Sequence, residues 1–407
     1  MNRSLAVLLL TVFLDSVGFG LIIPIMAPLI LGEGSSMFSG ISLSERGWFF
    51  GFIVSAYCIA QFIGSPLLGA LSDRYGRKKI LQITLIAGVI GYALSLSAMI
   101  LGSVALFIFS RFLEGVAAGN FTIVQSMMAD LSSSEEIRRK NFSLLGMAWG
   151  VGFILGPYFG GVLAHTGGIL TPFFYACIFC SLNWILGTFL LNETLKVRSE
   201  KKWTLLQGIF DLKRVFSHAE LRGIFIVAFL FSLGWGFFTE FSPVFLTTRF
   251  HFEALDIGNF YAYAGVWVAL CQGLFIRPLL ARYSPVALMR CGLFFLALNL
   301  FVFLAFDASW ICYVAVPLIA FPESLIYPNS SAIVSTLSGE NEQGEMLGIH
   351  NSLQWASMGF IPLFIGSFMA RYPLAAILCA SGMIFLAFLA FVFYFPRNIE
   401  LKKQALS

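Results

Sequence analysis

Charged residues are scarce in this sequence. Lysine and arginine contribute 25 residues and aspartate and glutamate 21, so only 11% of the 407 residues are charged, against about 25% in soluble domains. Apolar residues make up 58%, and runs of about 20 of them, long enough to cross a bilayer as a helix, recur along the chain. This pattern excludes a soluble protein and predicts an all-helical polytopic membrane protein.

The sequence also lacks the short motifs of enzymes and metal proteins. It contains no GxSxG, HExxH or P-loop motif and no paired Cys/His spacing. The CxxC pair, Cys177 and Cys180, lies inside an apolar run and is interpreted as small residues of a lipid-embedded helix. We therefore expect no enzyme activity, no metal, no cofactor and no ATP hydrolysis.

Positive charge lies mainly on one side of the predicted topology. We predict twelve membrane-spanning helices, at residues 5–31, 47–71, 80–101, 103–130, 141–164, 170–192, 222–247, 257–280, 287–306, 309–336, 346–370 and 373–395. Of the 25 Lys and Arg residues, 21 then share a side with the N-terminus and 3 lie opposite. Because cytoplasmic loops carry the excess of Lys and Arg, both termini are predicted to be cytoplasmic. The net charge of +4 reflects this topology and indicates no nucleic acid partner.

One long connection divides the chain. We predict an N-terminal six-helix bundle at 1–192, a cytoplasmic linker at 193–221, a C-terminal six-helix bundle at 222–395 and a cytoplasmic tail at 396–407. Apolar residues of the linker recur at near-helical spacing, which fits either an amphipathic surface helix or a flexible linker. Residues 69–79 align weakly with 277–287, which suggests an ancestral duplication.

Five ionisable residues fall inside the apolar spans: Asp15, Arg111, Glu114, Glu240 and Glu323. Such groups are costly in a bilayer and mark functional candidates. The acids lie one apiece on helices 1, 4, 7 and 10, which open the four three-helix repeats expected of such a chain. We expect Asp15 near the membrane midplane, with Arg111 and Glu114 at a similar depth where they can meet it. Arg111 and Glu114 also lie three residues apart on one helix face and can pair with each other.

A carboxylate that gains a proton in one conformation and loses it in another couples transport to a proton gradient. We rank Asp15 first for this role, then Glu114, then Glu323 and Glu240. The alternatives are a static hydrogen bond for Asp15 and a fixed ion pair with Arg111 for Glu114. For Glu240 and Glu323, contact with substrate is an equal alternative.

Small residues share one face of the predicted fifth helix. Gly152, Gly156, Gly160 and Gly161 recur at three- or four-residue spacing around Pro157. They let another helix approach closely, and the proline predicts a kink. This face either packs tightly or also seals and flexes between the two halves.

The motif GALSDRYGRKK at 69–79 places Asp73, Arg74 and Arg77 between two apolar spans, with Gly69 and Gly76 beside them. It matches the loop signature of the major facilitator superfamily. The segments LDSVGFGLIIPIMAPLI (14–30), RFLEGVAAG (111–119), GVGFILGPYFGG (150–161) and LNETL (191–195) resemble motifs of its drug:proton antiporters, particularly the tetracycline-efflux-like branch. Ser143 departs from the glycine expected upstream of the third of these segments.

The resemblance implies two six-helix bundles, with helices 1, 4, 7 and 10 lining a central cavity. It implies a proton-coupled drug or metabolite antiporter, and an antiporter signature in the helix that carries Pro157. It also implies a charge relay of Asp73 and Arg77 with Asp130 and Glu193. We therefore predict that the 69–79 loop is a conformational latch for the outward-open state, operating from the N-terminal half alone.

Four acids against one arginine favour a cationic, zwitterionic or lipophilic substrate, received by aromatic residues near the acids: Phe19, Phe112, Trp235, Phe237, Phe238 and Phe241. We expect a monomer in the inner membrane of a bacterium, in contact with lipid and protons. One alternative is a dedicated carrier of one metabolite, siderophore or sugar, by export, uptake or facilitated diffusion. Another is a receptor or scaffold that transports nothing.

Overall fold

The computed structural model describes residues 3–32, 36–132, 134–195, 219–304, 308–337 and 343–395, and within them every long element is a helix. In the first half these are α1 (Arg3–Leu31), α2 (Leu43–Tyr75), α3 (Arg77–Leu101), α4 (Val104–Ala118 and Asn120–Asp130), α5 (Glu135–Gly167) and α6 (Thr171–Leu190). In the second half they are α7 (Ala219–Phe250), α8 (Ala254–Leu270, continued to Arg282), α9 (Pro285–Leu300, continued to Leu304), α10 (Trp310–Leu337), α11 (Gln343–Arg371) and α12 (Pro373–Tyr394). The predicted twelve-helix fold is confirmed.

The middle of the linker region and the C-terminal tail are outside this description. The residues of the predicted amphipathic helix, 203–212, and those of the tail, 396–407, lie outside the described residues. Within the described ranges, eleven helices are long and apolar enough to span a membrane. Within α11 the described side chains include a shorter apolar stretch, Ala356–Met369. The bundle boundaries at 192 and 222 stay predictions.

Local signals account for the helix ends. Ser42 and Glu45 form a capping box at the start of α2, in which each side chain binds the other residue's backbone N–H. Gly76 separates α2 from α3 with a φ of 106°, a conformation that favours glycine. Since successive helices run in opposite directions, one end of the bundle holds Gly76, Asp130 and Leu190. We call it the Asp73 face, and the other end the opposite face.

Two helices are interrupted within their predicted spans. Gly119 divides α4, and a Cβ there would lie 2.9 Å from backbone atoms of Gly64 and Ser65, so close approach of α2 requires glycine. The helix α8 contains a π-helical turn, Cys271–Phe275. Pro278 follows it and cannot donate a backbone hydrogen bond, which accounts for local rearrangement of the ladder.

The two halves meet through α2 on α11 and through α5 on α8. Toward the opposite face this contact is backbone against backbone. A Cβ at Gly258 would lie 2.5 Å from the Pro157 carbonyl oxygen, and one at Gly366 would lie 2.5 Å from that of Gly47. The halves are therefore packed directly together at the opposite face.

Candidate functional site

Arg111 and Glu114 form a buried ion pair on α4, between Nη1 and Oε2. Their exposed fractions are 5% and 3%. The second oxygen of Glu114 accepts a hydrogen bond from Ser95 Oγ of α3 at 2.7 Å, and Ser95 in turn contacts Ser110 Oγ at 2.7 Å. The Glu114 carboxylate is thus enclosed inside the first half, where α3 covers it.

Arg111 also faces the junction of the halves. Its guanidinium lies over the Tyr57 ring of α2, 4.6 Å from the centroid. Its Nε is buried and makes no hydrogen bond to any residue that the structure describes. Glu240 of α7 lies within electrostatic reach of Arg111 and of Cys58, but it forms no ion pair with Arg111. Arg111 is therefore paired with an acid of its own helix and has an acid of the other half nearby.

Asp15 is held by two asparagines. Asn120 Nδ2 donates to Asp15 Oδ2 at 2.7 Å, and Asn183 Nδ2 donates to Oδ1 at 2.8 Å. Asp15 thus has amide partners on α4 and α6, and its described hydrogen bonds do not include Arg111 or Glu114. Sequence reasoning missed both asparagines because it searched the spans for charge, although any polar residue within such a span is a candidate.

Glu240 and Glu323 are partly exposed within the bundle, on α7 and α10. Neither forms an ion pair with Lys or Arg among the described residues. Glu323 follows Pro322 in a helix that also contains Pro317 and Pro328. It interacts electrostatically with Cys271, which opens the π-helical turn of α8. Such turns often accompany functional sites.

The aromatic residues expected near the acids differ in their surroundings. Phe237, Phe238 and Phe241 are buried in the core, and Trp235 stacks on Phe231 with centroids 6.3 Å apart. Phe19 stacks on Tyr57, the ring below Arg111, at 5.2 Å. Phe112 is 45% exposed. Of these side chains, Phe19 is the one connected to the Arg111 site by ring contacts.

The four residues of the predicted charge relay lie together at the Asp73 face. Arg77 pairs with Asp73 at 3.0 Å and with Asp130 at 2.5 Å. Glu193 accepts hydrogen bonds from the backbone N–H of Arg77 at 3.1 Å and of Lys78 at 3.2 Å. We call Asp73, Arg77, Asp130 and Glu193 the Asp73 cluster. All its described contacts lie within the first half.

The remaining signature residues frame this cluster. Gly69 faces the Thr122 methyl group at 3.3 Å from its would-be Cβ, so α2 packs closely on the second segment of α4. Gly76 supplies the turn that precedes Arg77. Arg74 is exposed and lies over the Tyr75 ring at 5.4 Å, outside the cluster.

Replacement of Asp73 by asparagine is expected to slow transport while expression and topology stay normal. The substitution removes one of two anions from Arg77 and keeps the side chain's shape. The rate of substrate transport in vesicles, normalised to the amount of folded protein, measures the effect. Normal transport by Asp73→Asn would reduce the 69–79 loop to a topology signal.

The glycine face of α5 serves both halves. Gly152, Gly156 and Gly160 abut α1, where a Cβ at Gly156 would lie 2.7 Å from Gly20 Cα. Gly161 instead abuts α8, where a Cβ at Gly161 would lie 2.6 Å from the Ala254 carbonyl oxygen. Pro157 lies against both Gly20 and Gly258. The helix α5 is thus wedged between its own bundle and the other one.

Two cavities lie away from the buried charges. One of about 820 Å³ opens at the opposite face, between α1, α2, α5, α7 and α8, with Arg46, His165 and His251 among its lining residues. A small one of about 10 Å³ adjoins His350, whose Nε2 lies 2.8 Å from Ser330 Oγ. Neither contains any of the five ionisable residues predicted within the spans.

Comparison with known proteins gives consistent matches. The family model described as Major Facilitator Superfamily matches residues 8–362. The class E tetracycline resistance protein of Escherichia coli is 29% identical over 365 residues, 87% of this chain and 84% of that protein. Multidrug resistance protein 2 of Bacillus subtilis (strain 168) is 29% identical over 361 residues, 87% of this chain and 85% of that protein.

Solved structures agree in fold. The human organic anion transporter MFSD10 (TETRAN) superposes with a TM-score of 0.71 at 23% identity, covering 96% of this chain and 99% of that one. A D-xylose–proton symporter superposes with a TM-score of 0.75 at 18% identity, covering 97% and 98%. At these identities the likeness concerns the arrangement of helices alone.

Proposed function

Since this chain belongs to the Major Facilitator Superfamily, we propose that it is a proton-coupled exporter of small organic compounds that works by alternating access. The observation that carries the proposal is the buried charge at the junction of the halves. Arg111 is ion-paired with Glu114 of its own helix and lies within electrostatic reach of Glu240 in the other half, with which it forms no ion pair. A charge at the junction of two moving bodies changes its surroundings when they move, which is what coupled transport requires.

Alternating access is supported by the way the two halves meet. At the opposite face they contact each other backbone to backbone at Gly258 and Gly366, beside the cavity that opens there. With a cytoplasmic Asp73 face, as the Lys and Arg distribution predicts, these contacts between the halves would lie at the outer side of the membrane.

The proposed substrate is a cationic, zwitterionic or lipophilic compound. Glu240 and Glu323 are carboxylates without Lys or Arg partners among the described residues, and Tyr57 and Phe19 offer stacked rings beside Arg111. Relatives named for tetracycline and multidrug resistance support a drug, and the bacterial inner membrane as its location. A dedicated carrier of one metabolite is the alternative that the test below separates.

Everted membrane vesicles from bacteria that express the chain provide the test. A pH gradient is imposed, and uptake of tetracycline, a lipophilic cation, a siderophore and xylose is measured with a fluorescent pH probe present. We expect uptake of at least one of the first two, with proton release that stops when an ionophore collapses the gradient. Transport of a single metabolite, insensitive to the gradient, would contradict the proposal.

A further inference from the structure

Two polypeptide segments of the first half connect Asp15 with the Asp73 cluster. The first is the second part of α4, Asn120–Asp130, an unbroken helix of 11 residues that is about 16 Å long. The second runs from Asn183 along the last turns of α6 to Leu190 and on to Glu193. We call them the α4 arm and the α6 arm.

Each arm begins at Asp15. Asn120 opens the α4 arm and donates to one carboxylate oxygen of Asp15, and Asn183 opens the α6 arm and donates to the other. Asn120 and Asn183 are 5% and 1% exposed, so no solvent replaces these bonds. In both arms the asparagine precedes the terminal acid by ten residues.

Each arm ends on Arg77. Asp130, at the end of the α4 arm, binds the Arg77 guanidinium, and Glu193, at the end of the α6 arm, binds the Arg77 backbone N–H. The ends are also tied to each other, because Thr194 Oγ1 donates to Asp130 Oδ2 at 2.9 Å. One residue of the latch is thus held from two directions.

The α4 arm is suited to transmit a displacement. Ile123, Val124, Met127 and Met128 are 0% exposed and pack in one core cluster. Close-packed interiors have low compressibility and transmit strain. Gly119 separates the arm from the rest of α4, so a shift of the arm need not move Arg111 or Glu114.

We propose that the two arms transmit the charge state of Asp15 to the Asp73 cluster, with Asn120 and Asn183 as positioning residues. An ionised Asp15 accepts one amide donor on each oxygen, as the structure has it. A proton on either oxygen adds an O–H donor there and weakens that oxygen as an acceptor for the amide N–H facing it. The asparagine concerned then moves or turns, and its arm with it.

Two ionisable groups near Asp15 in the described part of the chain are Tyr57 of α2 and Cys180 of α6. Both are neutral around pH 7 in their ordinary state, so neither competes with the asparagines as a cation. The arms are therefore the described contacts that respond directly to the Asp15 charge. The inference deepens the proposed function by naming what joins its first-ranked carboxylate to its latch.

A double-mutant cycle tests the proposal. Spin labels are attached to Lys79→Cys and Tyr283→Cys, two exposed positions at the Asp73 face of different halves, in a background without the native cysteines. Distance distributions report the ratio of open to closed Asp73 face, with no substrate or pH gradient present. Asp15→Asn, a neutral replacement, is compared with Asp15 in each background.

We expect Asp15→Asn to change the ratio about fivefold or more, the lower end of typical coupling between sites. In Asn120→Ala or Asn183→Ala protein the same replacement should change it less than about twofold, because one arm is already released. Asn141→Ala is the matched control. Asn141 is also 5% exposed and hydrogen-bonds Ser132, with no bond to Asp15, so the full effect should persist there.

Equal effects of Asp15→Asn in every background, or none in any, would overturn the proposal. If an alanine variant fails to fold, Asn120→Ser and Asn183→Ser replace it. The cycle contains no transport step, so it stands apart from the vesicle assay. A failed vesicle assay with an intact cycle removes the proposed exporter function, whereas a failed cycle with normal transport removes only the arms.

Discussion

Replacing Arg111 with glutamine is expected to abolish transport and to destabilise the protein by about 3–5 kcal/mol, the range for removing one partner of a buried ion pair. The cause is Glu114, which is 3% exposed and would keep only its bond to Ser95. The free energy of unfolding in detergent, followed by denaturant titration, measures the first effect. Transport in vesicles measures the second.

The double variant Arg111→Gln/Glu114→Gln separates stability from function. It removes both charges together, so we expect most of the lost stability to return while transport stays absent, since the positive charge near Glu240 is still missing. Arg371→Gln is the control, because Arg371 is exposed at the end of α11. Wild-type transport by the double variant would make the ion pair a purely structural element.

The helices could be predicted because a bilayer forces long apolar runs on the sequence. Interruptions within those runs escaped prediction. The span 103–130 was expected to be continuous, yet Gly119 divides α4 where α2 approaches. The π-helical turn in α8 depends on how Pro278 and its surroundings are accommodated, which hydropathy does not record.

The charged members of the site could be predicted for the same reason, since a charge within an apolar run stands out. The hydrogen-bond and ion-pair partners of these residues were harder to predict. Only the pairing of Arg111 with Glu114 is local, three residues apart on one helix. The bonds from Asp15 to Asn120 and Asn183 span 105 and 168 residues of sequence, and neither partner is charged. Long-range hydrogen bonds between uncharged side chains leave no periodic signal.

Glu323→Gln is expected to abolish gradient-driven accumulation while exchange of substrate across the membrane persists. Glutamine keeps the size and polarity of the side chain but cannot take up or release a proton. We favour Glu323 over Glu240 for this role because Glu240 lies within electrostatic reach of Arg111, whereas no ion pair with Lys or Arg is described for Glu323. A carboxylate with no fixed countercharge changes its protonation more readily between conformations.

The magnitude follows from the gradient. One pH unit is worth about 1.4 kcal/mol per proton, so a one-for-one exchange supports about tenfold accumulation of substrate. We expect wild-type vesicles to approach that ratio and Glu323→Gln vesicles to stop at equal concentrations. Counterflow, in which unlabelled substrate inside drives labelled substrate in without a gradient, should continue in the variant. Glu323→Asp, which retains a titratable group, should keep part of the accumulation.

If Glu323 carries the proton and Glu240 contacts the substrate, Glu240→Gln should give the contrasting result. Loss of the Glu240 charge leaves Arg111 paired with Glu114 alone, so we expect accumulation to remain gradient-driven while a lipophilic cation competes less well than a neutral compound. The measurement is the ratio of uptake of the two compounds at one pH gradient. Loss of gradient-driven uptake in Glu240→Gln but not in Glu323→Gln would reverse the assignment and place the proton beside Arg111. Uncoupling by both variants would mean that the two carboxylates share the proton across the junction of the halves.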